Sequence, residues 1–211
     1  MWLTFSCGEN FVTIVDGTPE LSYDTEKVIG IYDKIYKIIV EQNAYFVTDI
    51  NVYATTYDVF SGGRAMFCDM SLNKISTFLS EMTDPYGILP MPKYDEAQSE
   101  SLSFVNGATA LVMVAKTEKD PEFVGTILEA MATCNYDNVT PKLFHVITKL
   151  QAAQDPDSSS MVDYIVRNRI FDLGYFADFP ISNVVLENLK TGQESISSKM
   201  KAAGRTSTTL L

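Results

Sequence analysis

Along this chain, short runs of β-branched and aromatic residues alternate with segments whose apolar residues recur at helical spacing, and glycine, proline or aspartate marks each change. A sequence that switches so often between the strand period of about 2 and the helix period of about 3.6 cannot be an all-helical bundle or an all-strand sandwich. Helices and strands have to bury their apolar faces on one another, so the implied fold class is α/β, with short strands and mainly surface helices.

The first run, residues 11–23, reads FVTIVDGTPELSY; Asp16-Gly17 at its centre is a dipeptide suited to a tight hairpin turn. Asp24 is placed to cap a helix over residues 25–41, with Glu26 in its first turn and Val28, Ile31, Ile35, Ile38 and Ile39 as its apolar stripe. Residues 45–60 are β-prone in composition and end in Phe60-Ser61-Gly62-Gly63-Arg64, a turn before a predicted strand at 65–70. Ser71 opens a predicted helix in which Ile75, Phe78, Leu79 and Met82 share a face; Asp84-Pro85 ends it, because the residue before proline leaves the helical region. Residues 86–91 read as a strand, 94–101 as a polar exposed loop or crossing, and 102–115 as a long β-prone run interrupted at Asn106-Gly107.

Asp120-Pro121-Glu122 is a strong helix start, with Phe123, Val124, Ile127, Leu128 and Met131 as the face to be buried, and Thr140-Pro141 starts a further helix in the same way. After Gln154-Asp155-Pro156-Asp157 comes a helix carrying Met161 and Ile165 beside Val162 and Val166. Gly174 closes a Phe171–Phe176 segment, and helical residues are predicted to resume from Ile181.

The charge excludes several partners. With 16 Lys+Arg against 27 Asp+Glu the chain of 211 residues carries a formal −11 and no basic run, which disfavours nucleic acid and anionic lipid. Hydrophobic residues at 46% and charged ones at 20% are globular fractions, and the length suits one large domain or two small ones. Cys7, Cys68 and Cys134 lie far apart, with no second Cys or His at ligand spacing, so neither a metal nor a disulfide framework is expected. No run approaches the length of a membrane span, and the first ten residues, MWLTFSCGEN, have neither the basic start nor the apolar stretch of an export signal.

Catalytic chemistry finds little support. The single histidine, His145, has no Ser or Cys near it in sequence, which favours a packing or surface role. The acid pairs Asp155 and Asp157, and Glu118 and Asp120, sit in polar turns and read as solvated caps. Gly62-Gly63 lacks the Lys-Ser or Lys-Thr of a phosphate loop. No catalytic residue and no cofactor is expected.

Three passages together resemble the extracellular solute-binding proteins of bacterial ABC transporters, family 1, the sugar-binding type. Phe60 to Pro92 follows that family's order: a phenylalanine, a glycine turn with Arg64, an Ala-Met strand, a helix and the Tyr86-Gly87-Ile88-Leu89-Pro90-Met91-Pro92 strand. Phe104 to Met131 is similar to its hinge-crossing strand, turn and helix. Tyr136-Asp137-Asn138-Val139-Thr140-Pro141, Gln154 to Ile165 and Arg169 to Gly174 are similar to segments of a subgroup common among Gram-positive gut bacteria.

The resemblance implies the C-terminal lobe of a periplasmic-binding-protein type II fold, with the first lobe incomplete. Residues 1–101 would be second-lobe α/β, 102–152 the hinge-crossing strand and helices that join the first lobe, and 153–211 the returning helices. It implies a non-enzymatic, extracellular or cell-surface component of an ABC transporter. Such a component takes a carbohydrate or oligosaccharide by hinge closure and delivers it to a permease. Family members carry a signal or lipoprotein peptide and an N-terminal lobe before the part matched here, so the helices at 120–132 and 141–150 would lack the sheet they cover. The alternative is a stand-alone module that self-associates, as a homo-oligomer, through residues 102–150.

By the same resemblance the ligand-binding candidates are Asp69, Met70 and Ser71 at a strand end, Tyr175 and Phe176 after the Asp-Leu-Gly turn, and Asn106 near the crossing. Aromatic rings suit the C–H faces of sugars, and carboxylates and amides suit their hydroxyls. The structural readings stand beside these: Ser71 as a helix cap, Phe176 as core, Asp69 as a solvated carboxylate. Leu72 stands where the family carries a tryptophan.

Overall fold

Asp16 and Gly17 both take positive φ, 50° and 79°, the geometry that lets a two-residue turn match the twist of the strands it joins. The turn closes the predicted hairpin: β1 (Val12–Val15) pairs antiparallel with β2 (Thr18–Leu21), Val12 opposite Leu21 and Val15 opposite Thr18. The computed structural model describes residues 2–22, 26–42, 44, 54–106, 112–143, 157–176, 187, 191 and 196–199. Asp24, His145, residues 154–156 and the predicted helical residues 181–186 lie outside the described residues.

The described residues form two compact units, one from within 1–68, 90–107 and 163–211, the other from within 69–89 and 108–162. In the first, helix α1 (Trp2–Ser6) meets α2 (Glu26–Tyr36), which continues as a π turn over Lys37–Glu41. Of the predicted stripe, Val28, Ile31 and Ile35 are buried and, with Tyr32, pack with Phe5, Cys7, Phe11 and Ile196 in one core; Ile39 packs partly buried against it, and Ile38 is exposed. Burial pushes the Cys7 thiol above its ordinary pKa, so it behaves as a small apolar group.

Thr4 Oγ1 and Tyr32 Oη are buried in this core without a hydrogen bond of ordinary geometry, and burial pushes the Tyr32 phenol well up. A buried hydroxyl without a partner costs free energy. Tyr32→Phe is therefore expected to raise stability by about 1 kcal/mol in urea unfolding; a loss of that size would show that the hydroxyl is satisfied.

The second sheet of this unit is parallel. β3 (Ser103–Phe104) lies beside β4 (Arg169–Ile170), with the Ser103 amide donating to Asn168 O at 2.9 Å and the Val105 amide to Ile170 O at 3.0 Å. The polar crossing before β3 is fastened along its length. Ser6 Oγ donates to Pro92 O at 3.0 Å, Gln98 Nε2 to Ser6 O at 2.7 Å, and Lys34 Nζ to Tyr94 O at 2.9 Å, while the same ammonium lies 3.7 Å from the centre of the Tyr94 ring. Tyr164 donates to Glu100 Oε2 at 2.5 Å and accepts from the Ser101 amide at 2.9 Å.

Three predicted strands differ. Residues 65–70 and 86–91 are irregular, and of 102–115 only Ser103–Phe104 is strand, with 107–111 outside the described residues. β-propensity expresses fit to a pleated, half-buried surface, so a β-prone run with no strand beside it stays unpaired. Of the β-prone 45–60 stretch, residues 45–53 lie outside the described residues and the rest departs from expectation, since Ala54–Ser61 is helix α3. A helix satisfies its backbone within the segment and needs no partner strand.

In the second unit, Ser71 stands at the N-cap of α4 (Leu72–Phe78), which stops five residues short of Asp84; Ile75 and Leu79 are its buried positions. The Ile88 amide donates to Ser158 Oγ at 2.8 Å. Helix α5 (Pro121–Cys134) starts as predicted, with Asp120 Oδ1 accepting from the Phe123 amide at 3.0 Å. The predicted break at Thr140-Pro141 does not occur. α5 runs on through a π turn (Asn135–Val139) into helical residues 140–143, and the widened turn sits directly before Pro141, whose missing N–H and bulky ring would otherwise strain a regular ladder. None of the residues of α5 is buried. The predicted helix after Asp157 is α6 (Asp157–Arg167), with Val162 fully buried; the division between units falls within it. Helix α7 (Leu173–Phe176) follows β4.

Candidate functional site

Two parallel strands end side by side in the first unit. Beyond β3 comes Asn106, exposed; beyond β4 come Phe171, exposed, and the turn Asp172 to Tyr175. In parallel sheets of α/β proteins, ligands lie beyond the carboxyl ends of the strands, where loops diverge and backbone groups are free to point outward.

Asp172 builds this turn. Its side chain is 1% exposed; Oδ2 accepts from the amides of Phe11 at 2.7 Å and Val12 at 3.2 Å, and Oδ1 accepts from the Tyr175 amide at 2.7 Å. One carboxylate thus joins the start of β1 to the first turn of α7. Burial is the larger influence on it and raises its pKa, while the amides of Tyr175, Val12, Phe11 and Gly174 pull the other way. Gly174 permits the approach: a Cβ there would lie 3.0 Å from both Phe11 Cβ and Val12 Cγ2.

The turn holds Tyr175 in an aromatic group at the edge of the core. Its ring meets Phe104 edge-to-face at 4.7 Å and lies 6.5 Å from Trp2; Trp2 meets Phe104 edge-on at 5.5 Å, and Phe104 stacks on the fully buried Phe5 at 4.2 Å. Trp2, Phe104 and Tyr175 are each half-buried. Together with Asn106 they offer a rigid apolar edge beside an amide, a combination suited to a small molecule with both C–H faces and hydroxyls.

Of the six sequence-predicted residues, the structure brings Asn106 and Tyr175 to this edge. Phe176 belongs to α7, and its side chain lies outside the described residues. Asp69, Met70 and Ser71 fall in the other unit, immediately before α4. Ser71 occupies the cap position with extended backbone but makes no capping side-chain bond. Desolvation raises the Asp69 pKa, although the residue keeps an exposed surface, and that exposure governs what it can contact.

Sequence reasoning missed Trp2, Phe104 and Asp172. The available signal for Asp172 was its place three residues before Tyr175, the spacing at which an aspartate accepts from a first-turn amide. A separate shallow depression of about 350 Å³ is bordered by Asn138, Val139, Lys142 and Leu143, and none of the six predicted residues lines it. Among the described residues there is no group of three or more His, Cys, Asp or Glu able to hold a metal, and no helix long and apolar enough to cross a membrane. No protein-family model, no curated protein and no solved structure matches the chain.

Proposed function

We propose that the chain is the second lobe of a type II solute-binding component of an ABC-type transporter, contacting a carbohydrate or oligosaccharide at the ends of β3 and β4 without turning it over. The supporting observation is the parallel pairing that sets Asn106 and Tyr175, 69 positions apart in sequence, at neighbouring strand ends with Trp2 and Phe104. On this reading the edge forms one wall of a cleft. The facing wall belongs to a first lobe, and closure of the two on the solute precedes delivery to a membrane permease at the cell surface.

Trp2 is the only tryptophan and lies at this edge, so its fluorescence reports on it. Titration with a panel of neutral oligosaccharides is expected to change Trp2 emission for at least one of them, with Kd of about 1 mM because half the contacts are absent. The change should vanish in Asn106→Ala and Tyr175→Ala. Silence across the panel overturns the solute reading; nanomolar binding overturns the one-wall reading, since the site would then be complete in this chain.

A second reading, a stand-alone module that self-associates, is favoured by one observation in the other unit: α5 leaves its apolar face uncovered.

A further inference from the structure

The uncovered face of α5 has an ordered geometry. Phe123, Ile127, Met131, Val139 and Leu143 recur at intervals of four residues, with Asn135 as the one polar member of the row, and the five apolar side chains are each between 44% and 61% exposed. Rows at i, i+4 form the ridges by which helices most commonly interdigitate. In a regular helix such a row drifts around the axis by about 40° per step, so six members would spiral off any single face. The π turn at Asn135–Val139, with its extra residue per turn, takes back about 70° of that drift and holds the whole row within roughly a third of the circumference.

We propose that this ridge is a two-fold interface between copies of this chain, a reading that deepens the self-association alternative and does not depend on the solute site. Three features favour a second copy as the occupant. A single ridge packs against itself in the commonest helix-crossing class, which makes the surface self-complementary, as a two-fold interface requires. The exposed part of the ridge comes to roughly 500 Å² per copy, so a pair can bury about the 1,000 Å² that a specific interface has to clear. The helix acids Glu122, Glu129 and Asp137 all lie on the opposite side at helical spacing, so two chains of −11 meet here without like charges in contact. Their remaining long-range repulsion is screened over about 8 Å at physiological salt.

Near the middle of the ridge stand Asn135 and the exposed thiol of Cys134. A two-fold axis at that point brings each beside its counterpart, and a paired polar Asn fixes register in helix interfaces. Sedimentation velocity of the whole chain is expected to show a concentration-dependent monomer–dimer equilibrium in the micromolar range. The Ile127→Glu, Met131→Glu double variant should weaken it by at least about tenfold with unchanged circular dichroism. Oxidation with copper–phenanthroline should link wild-type dimers through Cys134, and Cys134→Ser should abolish the link; this readout holds even if the double variant fails to fold. A monomer at every concentration overturns both the ridge and the self-association reading and leaves the face to another protein. Dimers indifferent to both substitutions overturn the ridge alone. Polydisperse aggregates in place of a dimer overturn it as well.

Discussion

Asp172→Ala is expected to lower stability by about 3 kcal/mol or more, because it strips the acceptor from three amides, those of Phe11 and Val12 buried and that of Tyr175 partly so, and each costs about 1–3 kcal/mol when left without a partner. With a urea slope of about 2 kcal/mol/M for a chain of this size, the midpoint should fall by about 1.5 M. Asp172→Asn separates acceptance from charge. It keeps one oxygen and turns an NH₂ toward the remaining donors, so it should lose about half as much. An alanine variant within about 0.5 M of wild type, roughly the scatter of such midpoints, would show that water replaces the carboxylate and that the turn is not held by it.

Phe5→Ala carries the second large effect. Phe5 is fully buried and touches three rings among the described residues, Phe104 at 4.2 Å, Phe11 at 5.0 Å and Tyr175 at 6.3 Å. Truncating a buried aromatic costs about 3–5 kcal/mol through lost transfer energy and the cavity left behind. Here the cavity lies directly under Phe104 and beside Tyr175, so the proposed solute edge should slacken together with the core. Two measurements follow from one variant: the urea midpoint falls, and Trp2 emission moves to longer wavelength as its surroundings open. A stable variant with unaltered Trp2 emission would show that the aromatic group stands without its buried member.

What was legible in the sequence was local chemistry. Asp16-Gly17 announces its turn because only residues tolerant of positive φ fit there. Asp120-Pro121 announces the start of α5 because cap and proline act within one turn. That residues 65–70 and 86–91 stay irregular was not legible, since whether a β-prone run pairs depends on what lies beside it, and the period of the run holds no record of that. The candidate site divides in the same way. Asn106 and Tyr175 could be singled out, but their proximity comes from the pairing of Phe104 with Ile170, and the role of Asp172 comes from amides about 160 residues earlier.

The crossing at residues 90–101 looks dispensable from its composition, a polar stretch of the kind that usually tolerates insertions. Its ties to Ser6, Lys34 and Tyr164 make it a strap of set length spanning α1, α2 and α6. The consequence concerns engineering. Tags, extra residues or fluorophores belong in the exposed turn at 116–119, whose amides bond only within the turn and to Glu118 and Ala115 among the described residues. A single residue added to the strap would force one of three helices out of place.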